Sequence, residues 1–564
     1  MDTEKTDHPP TKTGEIGVAS LLLFALAFLE LLAFKGPEIF AIIAAYLWIA
    51  GGVIATTFLA WQYIKSTLQG LSRFSLWPFI PLLCAVPVCL FHIDGFRALN
   101  TESLSELQYS YEQLARADFG YTKMFWYSYP GRSLLLNYVP SLFLDPAPWL
   151  YRIGFAFPLL LGGGFLYSGL VAYYRQCSAR RMIAGVTSSC LFVFPMVVTF
   201  CRTFEMATSS LYFGLWTVAA LLHFVARPSA LTAFCCAWCG GLLGASFTSG
   251  LALVALMVLM LVLWALHCLR QGDRRLGMLL ISIIVYTAAV TVLLYLQHPK
   301  TLQPQIGASL ELMSERFQDA VIMTFSIDKE VFLPKQLVIP VLLMALAAMT
   351  LRLGWLPVLI LLWMMPVIWS AANLQGKIAP QLPFALYRAL VLIPPLLWCL
   401  SKFLEWITQR VRLPVFVWSI LGVCGLAYLG YCAQTLYFRQ NIFRPSAIAL
   451  NRESIMERLV SHTDQMGLSP FDRVALLHLP GDPRIQSALP CAQYLLPGWS
   501  RLNRQPALKE DRPLEPIPYV YIAIPPTNGP EINPGSHTRA DFPFTFYLRQ
   551  DTVLEGAFVV FYPK

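Results

Sequence analysis

The residue types that move protons or grip anions stand in this chain beside long apolar runs. His92-Ile93-Asp94-Gly95 follows one such run directly. A carboxylate at that depth sits where a bilayer-embedded substrate meets water, and neighbouring protein makes its acidity adjustable. That placement suits a general base acting on a hydroxyl acceptor; capping the next helix is the competing role, which Asp fills well. Cys201-Arg202-Thr203-Phe204-Glu205-Met206 puts one cation and one carboxylate at the mouth of two runs. The planar fork of Arg202 offers paired donors to a phosphate or pyrophosphate, unless Glu205 simply neutralises it. Arg388, in APQLPFALYRALVLIPPLLW, lies just inside an apolar run, where a guanidinium is costly unless it snorkels, pairs or binds an anion. The stretch TESLSELQYSYEQLARADFGYTK carries Glu106 and Glu112, and Arg132 follows in YPGRSLLLNYVPSLF. Leu104, Leu107, Tyr111 and Leu114 recur there at helical spacing, which describes a lid along a membrane surface or a packed interfacial loop.

The apolar runs that must position these groups dominate the chain. Hydrophobic residues make up 57% of its 564 residues and charged ones only 13%, against about 25% charged in an ordinary soluble protein. The runs look free of Asp, Glu, Lys and Arg, as lipid demands. Runs of spanning length fall at about 17–34, 38–62, 74–92, 149–174, 182–200, 207–226, 229–247, 250–269, 277–297, 336–351, 354–372, 383–401 and 413–438. The stretch Ser229–Leu269 is too long for one crossing and is split at Ser246-Phe247-Thr248-Ser249-Gly250, where small polar residues permit a reversal. The expected fold class is therefore membrane all-α, a polytopic bundle of about 13 transmembrane helices. A polar tail (1–16) and an N-terminal hairpin (17–73) precede the main transmembrane domain (74–438). Two loops, 93–148 and 298–334, interrupt it.

Lys and Arg orient the bundle. With a cytoplasmic N-terminus, the loops on that side carry Lys65, Arg73, Arg175, Arg180, Arg181, Arg227, Arg270, Arg274, Arg275, Arg352, Lys402, Arg410 and Arg412, whereas the other side holds mainly Lys35, Arg202 and Lys377. This is the positive-inside pattern. It places both long loops and the tail 439–564 outside the cytoplasm of a plasma (inner) membrane protein. The tail joins a helical stretch, SAIALNRESIMERLVSHTDQ, to strand-like runs VALLHL, YVYIAI, FTFYL and AFVVFY, and reads as a small extracytoplasmic α/β domain.

Several classes are disfavoured. The net charge of +9 comes from scattered residues rather than a basic stripe, so no nucleic acid is expected as partner. Cys235, Cys236 and Cys239 sit inside an apolar run, where packing explains them better than metal binding. There is no Walker A loop, no GxSxG elbow and no HExxH. No cofactor is implied, and a divalent ion near Asp94 is compatible with the sequence without any ligand cluster that demands one.

The layout resembles the GT-C superfamily of membrane glycosyltransferases, particularly bacterial members similar to protein O-mannosyltransferases and lipid A aminoarabinose transferases. The parallels are Asp94 right after a span, a long amphipathic first loop, and YPGRSLLLNYVPSLF ahead of WLYRIGFAFPLLLGG, with Trp149 and Arg152 in a W-x-x-R start. CRTFEMATSSLYFGLW looks like the family's Arg-to-acid turn, with Glu205 in the acid position. ALYRALVLIPPLLW is similar to a late Arg-containing segment, with Arg388 as the arginine; Ser249-Gly250 stands where the family has a Lys-Gly pair. The resemblance implies transfer of a sugar from a polyprenyl-phosphate carrier to a glycan, lipid or protein acceptor on the outer face. Asp94 would then be the base, Arg202 and Arg388 the phosphate contacts and Glu205 an orienting acid. His92, Glu106, Glu112 and Arg132 would contribute to substrate binding. Transport of a lipid-linked sugar, or a non-catalytic scaffold in envelope-polysaccharide assembly, are the rival expectations.

Overall fold

The computed structural model describes residues 13–35, 37–72, 74–91, 148–200, 208–246, 250–297, 326–327, 330–331, 390–391, 393–411, 413–439, 475–477, 521–523, 547–554 and 558–562. Helices α1 (Thr13–Lys35) and α2 (Glu38–Leu71) form a hairpin around Pro37. There the fixed φ and missing N–H of proline suit the start of a helix. Where a single run at 74–92 was expected, the described helix is α3 (Ile80–Leu90), with Pro81 in its first turn and Pro87 inside it. At 1.5 Å per residue it is about 16 Å long, too short to cross hydrocarbon alone.

Next comes α4 (Pro148–Tyr173). The expected run 182–200 is broken into α5 (Arg180–Cys190), a 3-10 turn at Leu191–Val193 and α6 (Pro195–Phe200). The break falls at Phe194, which precedes Pro195 and is extended (ψ 122°), because the proline ring clashes with an α-conformation in the residue before it. Then follow α7 (Thr208–Ala226) and α8 (Ala230–Gly244), the latter opened by a reciprocal Ser229/Thr232 capping box. Helix α9 (Gly250–Arg270) begins after the expected reversal, and α10 (Arg274–Gln297) returns beside it. Two more helices are described, α11 (Ile393–Arg410) and α12 (Val415–Arg439). Helix α11 is described from Ile393, with Pro394-Pro395 in its first turn, where proline is tolerated, and residues 383–389 of the expected span lie outside the described residues. The expected spans 336–351 and 354–372 lie outside the described residues.

Among the described residues, seven helices are long and apolar enough to cross a membrane, and α3 and α8 are apolar but shorter. This is the make-up of a multi-pass membrane protein that is mostly helical. Two short sheets are also described. Strands β1 (Ser326–Ile327) and β2 (Glu330–Val331) pair antiparallel. Strands β3 (Ala475–Leu477), β4 (Tyr521–Ala523), β5 (Tyr547–Leu554) and β6 (Phe558–Tyr562) lie in the order β3-β4-β6-β5, with β3 parallel to β4 and the rest antiparallel. The tail's expected helical stretch lies outside the described residues.

Side-chain ties fix the helix directions. Helices α4 and α7 run together, with Trp216 Nε1 donating to Pro158 O (3.0 Å) near one end and Ser168 meeting His223 (3.0 Å) near the other. Helix α8 runs against α7, because Ser209 reaches Ser246 O (3.3 Å) and Thr217 reaches Cys239 O (3.0 Å). Tyr437 OH donates to Val193 O (2.6 Å), so α12 ends beside the 3-10 turn that precedes α6. At the other end of the bundle Tyr174 and Ser401 share a hydrogen bond (2.8 Å), which aligns α11 antiparallel to α5 and α12.

Helix α8 is deeply enclosed, and glycine lets its neighbours come close. A side chain at Gly240 would meet Met257 and Thr287, and one at Gly244 would collide with Thr291. The Gly-x-x-x-Gly face therefore lets α8 lie against α9 and α10 with little between the backbones. By contrast, a side chain at Gly425 on α12 would meet nothing within 4 Å. Gly244→Val is expected to destabilise the bundle by about 1–3 kcal/mol through overpacking, while Gly425→Val leaves it nearly unchanged; thermal unfolding of the two purified variants in detergent checks this.

Candidate functional site

Helix directions sort the described ends of the bundle into two groups. At one end, here the upper end, stand Leu90, Pro148, Phe200, Thr208, Gly244, Gly250, Gln297, Ile393 and Arg439. All the long or chemically marked connections leave from it. The segment with His92, Asp94, Glu106, Glu112 and Arg132 follows α3, the link with Arg202 and Glu205 joins α6 to α7, and Arg388 precedes α11. These eight residues, Ser249 and the amphipathic stretch at 104–114 all lie outside the described residues. What is described is the frame around their points of attachment.

That frame is tightly built. Gly214 on α7 admits Leu253 of α9 and Pro394 of α11, which would approach a side chain there to 3.0 and 3.1 Å. The start of α11 is thereby held against the second turn of α7. Above it, toward the upper end, Thr208, Ser209, Ser210 and Ser246 are fully buried. Ser246 Oγ donates back to Leu243 O (2.7 Å), which satisfies a helix-end carbonyl that lipid would leave bare. Helix α6, which leads into the Arg202 link, packs against β1 of the second long loop.

Two ionisable groups inside the helices were not anticipated. Glu30 interrupts LLLFALAFLELLAF, so that run is not free of acids, and it is buried at 4% exposure. Trp48 Nε1 on α2 donates to Glu30 Oε1 at 2.7 Å. The rings of Trp48 and Trp238 lie 5.8 Å apart at 51°. Trp48 and Tyr286 both line Gly241. Glu30 thus ties α1 to α2 about 8 Å below the end of α1, and Trp48 carries the contact on to Trp238 of α8. The second group, His223 on α7, is also buried, with Phe58 edge-on at 5.9 Å. Ser168 Oγ gives its hydrogen to Phe165 O (2.9 Å) and so accepts from His223 Nε2–H. The signal for both was available: a lone ionisable residue in an apolar run is a functional candidate by default.

No metal centre emerges among the described residues: no group of three or more His, Cys, Asp and Glu is placed to hold an ion. Cys235, Cys236 and Cys239 are fully buried free thiols on α8. No protein-family model matches the chain, and no curated protein matches it.

The Trp48–Glu30 bond ties the N-terminal hairpin together. Trp48→Phe is expected to cost about 1–3 kcal/mol, the range for removing one partner of a buried hydrogen bond. The double variant Glu30→Leu/Trp48→Phe should then lose less than the sum of the two single changes, and unfolding titrations of all four proteins in mixed micelles measure that coupling.

Proposed function

We propose that the chain is a membrane glycosyltransferase of GT-C type, which moves a sugar from a polyprenyl-phosphate carrier to an acceptor at the upper end of the bundle. One observation carries this reading: three separate stretches of chain, bearing Asp94, Arg202 with Glu205, and Arg388, all attach to described helices at the same end. Their order along the chain, with Asp94 first and Arg388 last, is that of the resembled family.

The chemistry required there is simple. The acceptor hydroxyl must lose a proton, and the departing phosphate must have its developing negative charge met by a cation. Asp94 takes the proton. Arg202 and Arg388 meet the phosphate with paired N–H donors, while Glu205 orients one of them, and His92, Glu106, Glu112 and Arg132 line the approach of donor and acceptor. A divalent ion is compatible with this scheme and not required by it.

Orientation belongs to the same proposal. Among the described residues Lys65, Arg175, Arg180, Arg181, Arg227, Arg270, Arg274, Arg275, Lys402 and Arg410 gather at the lower end, against Lys35, Arg152 and Arg439 at the upper. By the positive-inside rule the lower end is cytoplasmic and the upper end faces out. The full chain then has about 13 spans and carries its four-stranded sheet within an extracytoplasmic α/β domain.

A second reading draws on Glu30 and His223. Ionisable groups buried among helices mark substrate or proton paths in transporters, so passage of a lipid-linked sugar is the rival function.

The test is transfer in proteoliposomes with a polyprenyl-phosphate sugar. Asp94→Asn is expected to lower the turnover number about 100-fold or more, the contribution of a general base, with the unfolding midpoint unchanged. Unaltered transfer by that variant, or loss of lipid flipping in Glu30→Gln while Asp94→Asn flips normally, rules for the transporter.

A further inference from the structure

Helix α12 is covered on one side only. Trp77 Nε1 donates to Ser419 Oγ (3.2 Å), Tyr437 OH donates to Val193 O (2.6 Å), and a side chain at Gly422 would meet Trp77, Val186 and Met182. These ties hold that side against α5, the 3-10 turn after it and the turn before α3. The other side is left uncovered by the described residues, and no residue from Val415 to Cys432 is buried. Ile420, Cys424, Ala427, Tyr431 and Gln434 run along the middle of it, all exposed, at alternating spacings of four and three residues. That repeat draws one seam along a helix, the pattern by which two helices wind round each other. Phe416, Leu421, Val423 and Tyr428 flank the seam with further exposed apolar surface.

Lipid is a poor cover for this seam. Helix α12 is about 37 Å long, more than the roughly 30 Å of hydrocarbon it crosses. Tyr431 therefore sits about 12 Å below its upper end and Gln434 about 8 Å below it, and Tyr431 is 69% exposed. A hydroxyl and a carboxamide turned outward at that depth find no partner in acyl chains, which is costly. Towards mid-membrane the seam narrows to the small side chains of Ala427 and Cys424, which lets a neighbouring helix come close.

Self-complementarity identifies that neighbour. Copies of one chain in one membrane share an orientation, so two α12 helices meet in parallel, and a two-fold axis along the membrane normal brings each seam residue to its own equivalent at the same depth. A charged residue would repel its copy there, and none occurs from Val415 to Phe438. A carboxamide carries donors and acceptors together, as does a phenol, so Gln434 and Tyr431 each find a partner in the same residue of a second copy. Polar seam positions also fix the register of such pairs.

We infer that this protein forms a homodimer in the membrane, with the face of α12 that bears Ile420, Cys424, Ala427, Tyr431 and Gln434 packed in parallel against the same face of a second copy. The interface is independent of the chemistry proposed at the upper end.

Cys424, an exposed thiol on the seam, supplies the probe. In native membranes, oxidation with copper phenanthroline is expected to give a reducible covalent dimer of the full-length protein, abolished by Cys424→Ser. Photobleaching steps of single fluorescently labelled proteins, counted in lipid bilayers over a dilution series, give the association constant. Gln434→Leu should weaken association about threefold or more, the effect of losing an interhelical hydrogen bond, and Ala427→Ile about tenfold or more through overpacking. Both positions are exposed, so the unfolding midpoint in detergent should stay unchanged. Leu263→Phe on the exposed side of α9 should leave association as it was. Single-step bleaching at every density, which leaves the face to lipid or to residues 332–389 of the same chain, overturns the inference. So does a cross-linked dimer that survives Cys424→Ser, or association undiminished in both seam variants.

Discussion

Hydrocarbon offers no hydrogen bond to a bare amide and little reward to an apolar side chain that leaves lipid for another helix. Every described helix of this protein answers to that constraint. Backbone groups are closed within helices, and the ends borrow hydroxyls, as Ser246 does for Leu243 O and the Ser229/Thr232 box does for the start of α8. Helix association then rests on close approach and on polar ties. The glycine face of α8 provides the first. Trp48 to Glu30, Trp216 to Pro158 O, Thr217 to Cys239 O and Tyr437 to Val193 O provide the second.

The same ties give the bundle two unlike ends. At the lower end α2, α4, α5 and α11 meet through cations, tyrosines and a paired Lys402, whose Nζ sits 4.4 Å and 4.9 Å above the rings of Tyr173 and Tyr174. Such a belt of rings and positive charge belongs at a head-group boundary. At the upper end the helices stop on hydroxyls and prolines, and the long connections depart. The long connections thus leave from one end of the bundle, and the cations of the described helices gather at the other. Glu30 complicates that picture in an informative way. Its carboxylate serves packing of the N-terminal hairpin through Trp48, and it also places an ionisable group within the upper part of the bundle.

Much of the helical framework was legible in the chain. Lipid tolerates so few charges that apolar runs such as Thr208–Ala226 and Arg274–Leu293 announce themselves. Proline made the exceptions. Pro195 broke the expected 182–200 helix, because its ring forces the residue before it out of the α-conformation and overrides hydropathy locally. Hydropathy also hid Glu30 and His223, since averaging over a run conceals the single residue that departs from it. As for the candidate site, the alternation of apolar runs already implies one side for the segments of Asp94, Arg202 with Glu205, and Arg388, whereas the residues themselves lie outside the described structure and no local pattern says how close they come.

Residue order alone establishes that this chain is mostly helical and lipid-compatible, roughly where its described spans lie, and that its positive charge is unevenly shared between alternate connections. Those properties follow from transfer free energies, which are sums over nearby residues. The packing of the helices decides that Trp48 finds Glu30, that Tyr437 reaches Val193 O, and that Pro394 seats against Gly214. Each of these contacts joins residues far apart along the chain, and their geometry is settled by how closely helices approach, which depends on both partners at once.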